Sequence, residues 1–544
     1  MIRNYFILLL LAILLFAVGF LAVLPPFEGF DENAHYSSIQ QIADTGTIPR
    51  YGQSFLSTTV VDYRSHGPSP YNSLNPPFDQ NDGMTYTVFF NSQNHVEAYK
   101  KLYRESHTDR SFEPSQAANW QSQHPPLYYL LMAPFMKVTA SCSLVTQLFL
   151  LRLISFLLAF FGLLVGLRAS LIYLPPKLRE PIILGFLLYP FIAPMFFPEF
   201  ARLGNDSLCL LLFASVWALL LRCLQNENDH KAAFFMGIIL GLGLLTKAFF
   251  FPIAFGIGMF MLARIWAERD KKPLVLLRIK QLVWIFIPAL LLGGRWYVNN
   301  FVAYGSFFGG DDVITLAKVG GLLENLEGNF SFFELVRGIA ATLVMWSWAG
   351  TWSLTRINEL FRIPLLALTV WLFCIYLRQA WQHKLTHKIW LPLWLSAPLI
   401  AGLIHHIFVG IALKGSGATP GWYIHILAPA IALIFAFGLA GIKYKQMWQR
   451  ILLNSLLAYT VFFLIIVHWM QMLLFAGFAT KGDNKYYQLQ SSVIDPMQAV
   501  NTLTRLDVLG WPLIAVICNC AGLLCLSLGL VKIFRAQMRA NDFV

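Results

Sequence analysis

Pro25-Pro26-Phe27-Glu28-Gly29-Phe30-Asp31-Glu32-Asn33-Ala34-His35-Tyr36 is the stretch on which the reading of this chain turns. It directly follows an apolar run, Tyr5 to Leu24. At 1.5 Å per residue such a run reaches about 30 Å, the thickness of a bilayer's hydrocarbon core. Two adjacent carboxylates, Asp31 and Glu32, therefore stand where the first membrane helix ends and the aqueous phase begins. Ionisable groups are costly beside lipid, so those kept at such an edge tend to have a function. The run is too long for a signal peptide, and no small-residue cleavage site precedes the proline pair. It reads as a retained helix.

Composition agrees. Of 544 residues, 57% are hydrophobic and only 12% charged, with mean hydropathy +0.59. Soluble proteins carry roughly 25% charged residues, so the class is an all-α polytopic membrane protein. The net charge of +12 does not point to nucleic acid. Residues Pro25 to His124 carry a local balance of −5, which leaves +17 for the rest, gathered in short loops. That is the pattern of cytoplasmic loops rather than a polyanion-binding face. Six of the seven cysteines lie in or at the ends of apolar segments and Cys142 has no evident partner, so no disulfide framework is expected. No Cys/His cluster has zinc spacing. Use of a divalent metal stays open, and no other cofactor is called for.

Hydropathy and loop charge together give about twelve spans. After the first, apolar runs fall near 147–172, 181–198, 207–222, 232–246, 248–267, 281–299, 363–379, 389–412, 422–442, 451–476 and 509–534. Alternate connections are basic. They carry Lys177 and Arg179; Arg222 and Lys231; Arg269, Lys271, Lys272, Arg278 and Lys280; Arg378, Lys384 and Lys388; Lys443, Lys445 and Arg450; and Lys532, Arg535 and Arg539. With Arg3 these set both termini in the cytoplasm. The other side receives a long first loop, 25–145, and a second, 299–362. Two apolar stretches there, Leu127–Val138 and Gly338–Trp352, would break the charge alternation if they crossed, so both read as interfacial helices. The expected organisation is a catalytic core at 1–440 and a C-terminal membrane region at 441–544 with an outer loop at 477–507.

Phe30-Asp31-Glu32-Asn33-Ala34-His35-Tyr36 resembles the Asp-Glu signature after the first helix of the GT-C glycosyltransferases, among them protein O-mannosyltransferases and aminoarabinose transferases. Five further stretches resemble that superfamily in the same order. They are His124-Pro125-Pro126-Leu127-Tyr128-Tyr129, Phe200–Asp206, Gly241–Lys247 (GLGLLTK), Arg295–Gly305 (RWYVNNFVAYG) and, more weakly, Gly421–Pro429. There are departures. Asn299 and Trp422 stand where many relatives have arginine, and those arginines would be natural phosphate ligands.

The resemblance implies the GT-C fold and a sugar carried on polyprenyl phosphate, transferred with inversion to a lipid or glycan acceptor at the outer face of the cytoplasmic membrane. Such transfer needs a general base for the acceptor hydroxyl and positive charge for the departing phosphate. Asp31 is the expected base, with Glu32 tuning it as an adjacent like charge. Lys247 and Arg295, near the outer ends of spans, are the expected donor-phosphate ligands, with Arg202 as a further candidate beside Glu199 and Asp206. His35, His124, Tyr128, Glu199 and Asp206 are candidates for acceptor or sugar binding. The plain alternative is that Asp31 and Glu32 only cap a helix starting near Asn33. Lys247 could equally snorkel to the headgroups, and Trp346, Trp348 and Trp352 read most simply as an interfacial belt. Expected partners are the lipid-linked donor, the acceptor and membrane lipids; the chain itself reads as a monomer. Rival functions are a lipid-linked glycan flippase or transporter, and a polysaccharide polymerase or ligase. Acidic residues at outer helix ends and the early large loop favour the transferase.

Overall fold

The computed structural model describes residues 4–541 apart from 72, 74–75, 80–82, 108–109, 309–310, 349, 354–358, 383–386, 443–445, 482–486 and 490–495. Arg3, Lys384, Lys443 and Lys445 of the loop-charge argument lie outside the described residues.

The first helix, Asn4–Val23, is apolar throughout and stops before Pro25-Pro26, as expected where two successive residues offer no backbone N–H. Along its length it packs against the last long helix, Pro512–Asn541. Ten of the described helices are long and apolar enough to cross a membrane, which makes the chain a polytopic membrane protein. Two of the twelve expected spans come out shorter. Arg179–Ile192 has 14 residues and His230–Leu244 has 15, against the roughly 20 that a bilayer requires. The first ends just ahead of Ala193-Pro194, and the second turns at Thr246-Lys247 into the site described below.

Close helix pairing rests on small residues. At Gly162, a Cβ would meet the backbone of Leu211 at 2.9 Å, so helix Leu144–Tyr173 lies tight against Asp206–Gln225. Such approach is how membrane helices gain dispersion contact where no hydrophobic drive exists between them.

Of the two stretches expected as interfacial helices, Leu127–Val138 is a helix with those bounds, and the second helix runs Phe332–Trp346, six residues earlier than the expected 338–352. The long segment after the first helix carries several short helices, the first of them Glu32–Thr45, and strand Phe55–Ser57 pairs antiparallel with Pro114–Ala118. A second small pair, Ala479–Lys481 with Tyr487–Leu489, lies late in the chain.

Candidate active site

The turn between the first two helices is set by unusual backbone. Phe27 and Asp31 are the non-glycine residues with positive φ among the described residues, at 61° and 56°. Aspartate is one of the few residue types that tolerates this region. Asp31 occupies the N-cap position of Glu32–Thr45, yet its side chain makes no capping hydrogen bond. Its Oδ1 accepts the indole N–H of Trp120 at 3.2 Å. The plain capping alternative therefore fails for Asp31.

Glu32 has a different fate. Arg152 Nε donates to it at 2.7 Å and Arg152 Nη2 to its other oxygen, while the Leu203 backbone N–H adds a third bond at 3.1 Å. The same guanidinium donates to the carbonyls of Leu24 and Pro25 at 2.6 and 2.7 Å. These carbonyls end the first helix and lack intrahelical partners. Arg152 thus locks the Asp-Glu turn onto helix Leu144–Tyr173.

The Glu199–Asp206 loop supplies the next layer. All five N–H groups of Arg202 are taken. Glu199 receives two, at 2.6 and 3.1 Å, Asp206 one at 3.3 Å, and the carbonyls of Phe30 and Leu203 the others at 2.8 and 3.3 Å. With no donor to spare, Arg202 is a bracket between this loop and the Phe30-Asp31 turn, which corrects its candidacy as a phosphate ligand. Lys247 Nζ donates to both oxygens of Asp206 at 2.8 and 2.9 Å and lies over the rings of Tyr423 and Phe249, at 4.3 and 4.6 Å. It is only 4% exposed, so it points inward instead of snorkelling.

His35 Nδ1 and the Tyr129 hydroxyl are 2.9 Å apart, and the rings of His35 and His124 stack at 6.4 Å. Burial pushes His124 down to about 3, Lys247 adding to it, and holds His35 well below its ordinary value with Arg202 contributing. Both imidazoles are neutral at pH 7, which suits them to hydrogen bonding and not to neutralising phosphate. The Tyr128 hydroxyl pairs with Ser155 Oγ at 2.8 Å and accepts the Gly204 N–H at 3.2 Å, supporting the loop from below.

Arg295 is the candidate that stays apart. It is exposed on Lys272–Tyr304, at helical spacing with exposed Leu291, Val298 and Val302. Within that apolar stripe its long stem suits headgroup contact. Asn299 shares the exposed surface. Trp422, the other departure, stacks on Phe30 at 4.1 Å with planes 12° apart, and Trp352 meets Phe30 edge-on at 4.8 Å. Trp346 is buried against His425, and Trp348 packs in the same cluster as Phe30 and Trp422. The expected tryptophan belt is in fact an aromatic wall beside Asp31.

Residues 14–306 match the model of a family described as Predicted membrane protein (DUF2142). The chain belongs to this family. The matched span of the DUF2142 protein holds Asp31, Glu32, His35, His124, Tyr128, Glu199, Arg202, Asp206 and Lys247. No protein of curated function matches it in sequence. Among solved structures it is similar to ArnT from Cupriavidus metallidurans bound to undecaprenyl phosphate, at 13% identity over 89% of this chain and 77% of that one, TM-score 0.42. It is also similar to the oligosaccharyltransferase of Archaeoglobus fulgidus in the apo form, at 13% identity over 90% of this chain and 57% of that one, TM-score 0.37.

Once Arg152 and Glu32 are set aside as a closed pair, the DUF2142 site holds three carboxyls, Asp31, Glu199 and Asp206, against two cations, Arg202 and Lys247. One carboxyl in excess gives the cluster a place for a proton. Burial raises Asp31 above its ordinary value, and Arg202 pulls it back. Glu32, Glu199 and Asp206 are 0 to 1% exposed, whereas Asp31 is partly exposed. Among the described residues no three His, Cys, Asp or Glu side chains are grouped to hold a metal ion.

Three participants were not singled out from the sequence. Arg152 lay inside an apolar run, where a lone arginine should have signalled a buried partner. Trp120 carried no readable signal. Glu28, four residues from Glu32, is fully buried and accepts from Tyr86 at 2.7 Å, Thr351 at 2.6 Å, and the Ser353 hydroxyl and N–H at 2.9 and 2.6 Å.

Proposed function

We propose that this protein is an integral-membrane inverting glycosyltransferase that moves a sugar from a polyprenyl-phosphate donor to a hydroxyl acceptor. The reading is carried by one observation: Asp31, partly exposed and oriented by Trp120, sits against a buried charge cluster that its neighbours Glu32, Glu199 and Asp206 have already closed. Asp31 takes the proton of the acceptor hydroxyl. The freed oxygen attacks the anomeric carbon from the face opposite the phosphate, the bond from that carbon to the phosphate oxygen breaks, and the electron pair leaves with the lipid phosphate. Lys247 has a third N–H beyond the two given to Asp206, and it is the cation available to the charge growing on that phosphate. The aromatic wall of Phe30, Trp352 and Trp422 offers apolar faces to the sugar ring. The outer side of the cytoplasmic membrane, with both termini inside, is the matching location.

A strain lacking the gene should accumulate a polyprenyl-phosphate sugar, seen by mass spectrometry of lipid extracts. The wild-type gene should clear it. Asp31→Asn, present in membranes at wild-type level, should clear it about 10²–10⁴ times more slowly, the usual contribution of a general base. Clearance at the wild-type rate would refute the role.

A further inference from the structure

The candidate site occupies one end of the bundle; at the other lies a second polar cavity that the transfer chemistry leaves unused. It has a volume of about 520 Å³, and its lining includes Arg378, Gly441, the indoles of Trp371 and Trp448, and the amides of Gln379, Gln382, Gln446 and Gln449. Three elements place it. Helix Ile363–Gln382 starts beside Phe361 and Arg362 and lines the cavity with its C-terminal half, from Trp371 to Gln382. Ala428–Ala440 starts next to His425, which stacks on Trp346 by the candidate site, and delivers Gly441 to the cavity. Met447–Phe475 begins at the cavity and ends with Phe475 against Tyr86, the residue that bonds Glu28. Twenty helical residues rise about 30 Å, so the cavity sits at the level of the opposite leaflet's headgroups.

Charge at this end has one sign. Between residues 360 and 482 the sequence contains no aspartate or glutamate, and Arg378 and Arg450 stand near the ends of the two helices that line the cavity. Arg378 is exposed into it and makes no hydrogen bond or ion pair with another described residue. Four glutamine amides, two of them joined by a bond from Gln449 Nε2 to Gln446 Oε1 at 2.6 Å, supply donors and acceptors of the kind that glycerol and ester oxygens need. Trp371 and Trp448 flank the site, and Trp448 is 58% exposed. Indole rings settle at the headgroup level, with an apolar body toward the chains and an N–H toward water.

We propose that this cavity binds the phosphate headgroup of an anionic phospholipid in the leaflet opposite the candidate site. The phosphate sits on Arg378, the glutamine amides take the glycerol region, and the acyl chains leave along Trp448. A basic pocket between membrane helices is the form such headgroup sites take. Lipid bound here ties the Ile363–Gln382 and Met447–Phe475 helices together at the end far from the chemistry.

The test uses the full-length protein purified in detergent, with phosphatidylglycerol or phosphatidylcholine of matched chains added. Native mass spectrometry should show one phosphatidylglycerol retained in preference to phosphatidylcholine, and thermal melting should shift upward with phosphatidylglycerol only. Arg378→Gln should weaken retention of phosphatidylglycerol by about fivefold, as for one interfacial cation. Gly441→Ala is the second variant. Its new Cβ would meet Gln379 Nε2 at 2.3 Å and Ile375 Cγ2 at 2.5 Å, driving both side chains into the cavity with the charge kept. It should lower retention too, at unchanged folding in lipid-free melts. Equal retention of the two lipids, or wild-type retention in both variants, overturns the proposal. A melting shift reproduced by inorganic phosphate alone overturns it as well, because the ligand is then a soluble anion.

Discussion

The helix Asp206–Gln225 connects two charge clusters, one buried and one partly exposed, that solve the same problem differently. At its first residue, Asp206 joins Arg202, Lys247, Glu199 and Asp31; two residues past its last, Glu227 joins Arg264, Arg278 and Glu268. In the second cluster both arginines donate to Glu227 at 2.6 Å and to Glu268 at 3.0 Å. Two cations meet two anions, and Gln281 closes the set by donating to the Glu227 carbonyl at 2.7 Å. In the first, three carboxyls share two cations once the Arg152–Glu32 pair is set aside. A balanced cluster holds loops together and has nothing left to give. An unbalanced one retains a titratable group, and where that group reaches the surface it can do acid–base work.

The comparison can be broken most severely at Arg152. Arg152→Met leaves Glu32 buried without its cation and strands the last carbonyls of the first helix. Loss of one partner of a buried pair costs about 3–5 kcal/mol, so the variant should show a large drop in melting temperature or fail to accumulate. Arg278→Met makes the corresponding cut in the balanced cluster. Glu227 is 39% exposed there and keeps Arg264, so the loss should be roughly 1–2 kcal/mol, with transfer activity of the folded protein unchanged. A matching loss of activity would mean that the two clusters are not separate in role.

Lys247→Met removes one of the two cations from buried Asp206, which keeps Arg202 at 3.3 Å, so a smaller loss of stability than at Arg152 is expected. Lys247→Met should weaken binding of a polyprenyl-phosphate sugar in nanodiscs by about tenfold, the worth of one charge-assisted contact to phosphate. Arg295→Leu should leave that affinity unchanged, because its side chain lies on the exposed stripe. Equal losses in the two would put the phosphate on the outer surface of Lys272–Tyr304.

The mildest perturbation is pH. Burial pushes Glu28 up to about 7, against four hydrogen bonds that favour the charged form. The folded state then binds a proton that the unfolded chain releases near 4.5, so stability from this group is full below 4.5 and lost as pH rises through about 7. Wild-type melting temperature should fall between pH 5 and pH 8, and Glu28→Gln should fall less. An identical fall in both would clear Glu28 of the effect.

Much of this was legible in the sequence. Apolar runs of bilayer length are unambiguous, and ten of them are long helices here. The short motifs around Asp31, His124, Asp206 and Lys247 converge on one place, because each stands at or next to the end of a helix on the same end of the bundle. Three features were harder to see. Hydropathy counted Arg278 as a loop cation, whereas it lies inside Lys272–Tyr304 at 0% exposure; a charge tally cannot tell a solvated side chain from a paired one. Arg202 read either as paired with Glu199 and Asp206 or as a phosphate ligand until its five donors could be counted. Glu28 was quoted with its neighbours and given no role, since its partners Thr351 and Ser353 lie more than 320 residues away and no local pattern announces them.

The bond between Arg152 and Glu32 also has a consequence for how the chain is made. Glu32 is synthesised 120 residues ahead of its counter-ion, and Asp206 is synthesised 41 residues ahead of Lys247. During translation the first helix and its Asp-Glu turn leave the ribosome while the groups that neutralise them do not yet exist. The turn must wait for its counter-ion until helix Leu144–Tyr173 is made and brings Arg152 to it. Arg202 follows with the loop after Phe196–Phe200, and Lys247 with the turn after His230–Leu244. The charge cluster therefore closes in chain order, and Lys247 is the last of its cations to arrive.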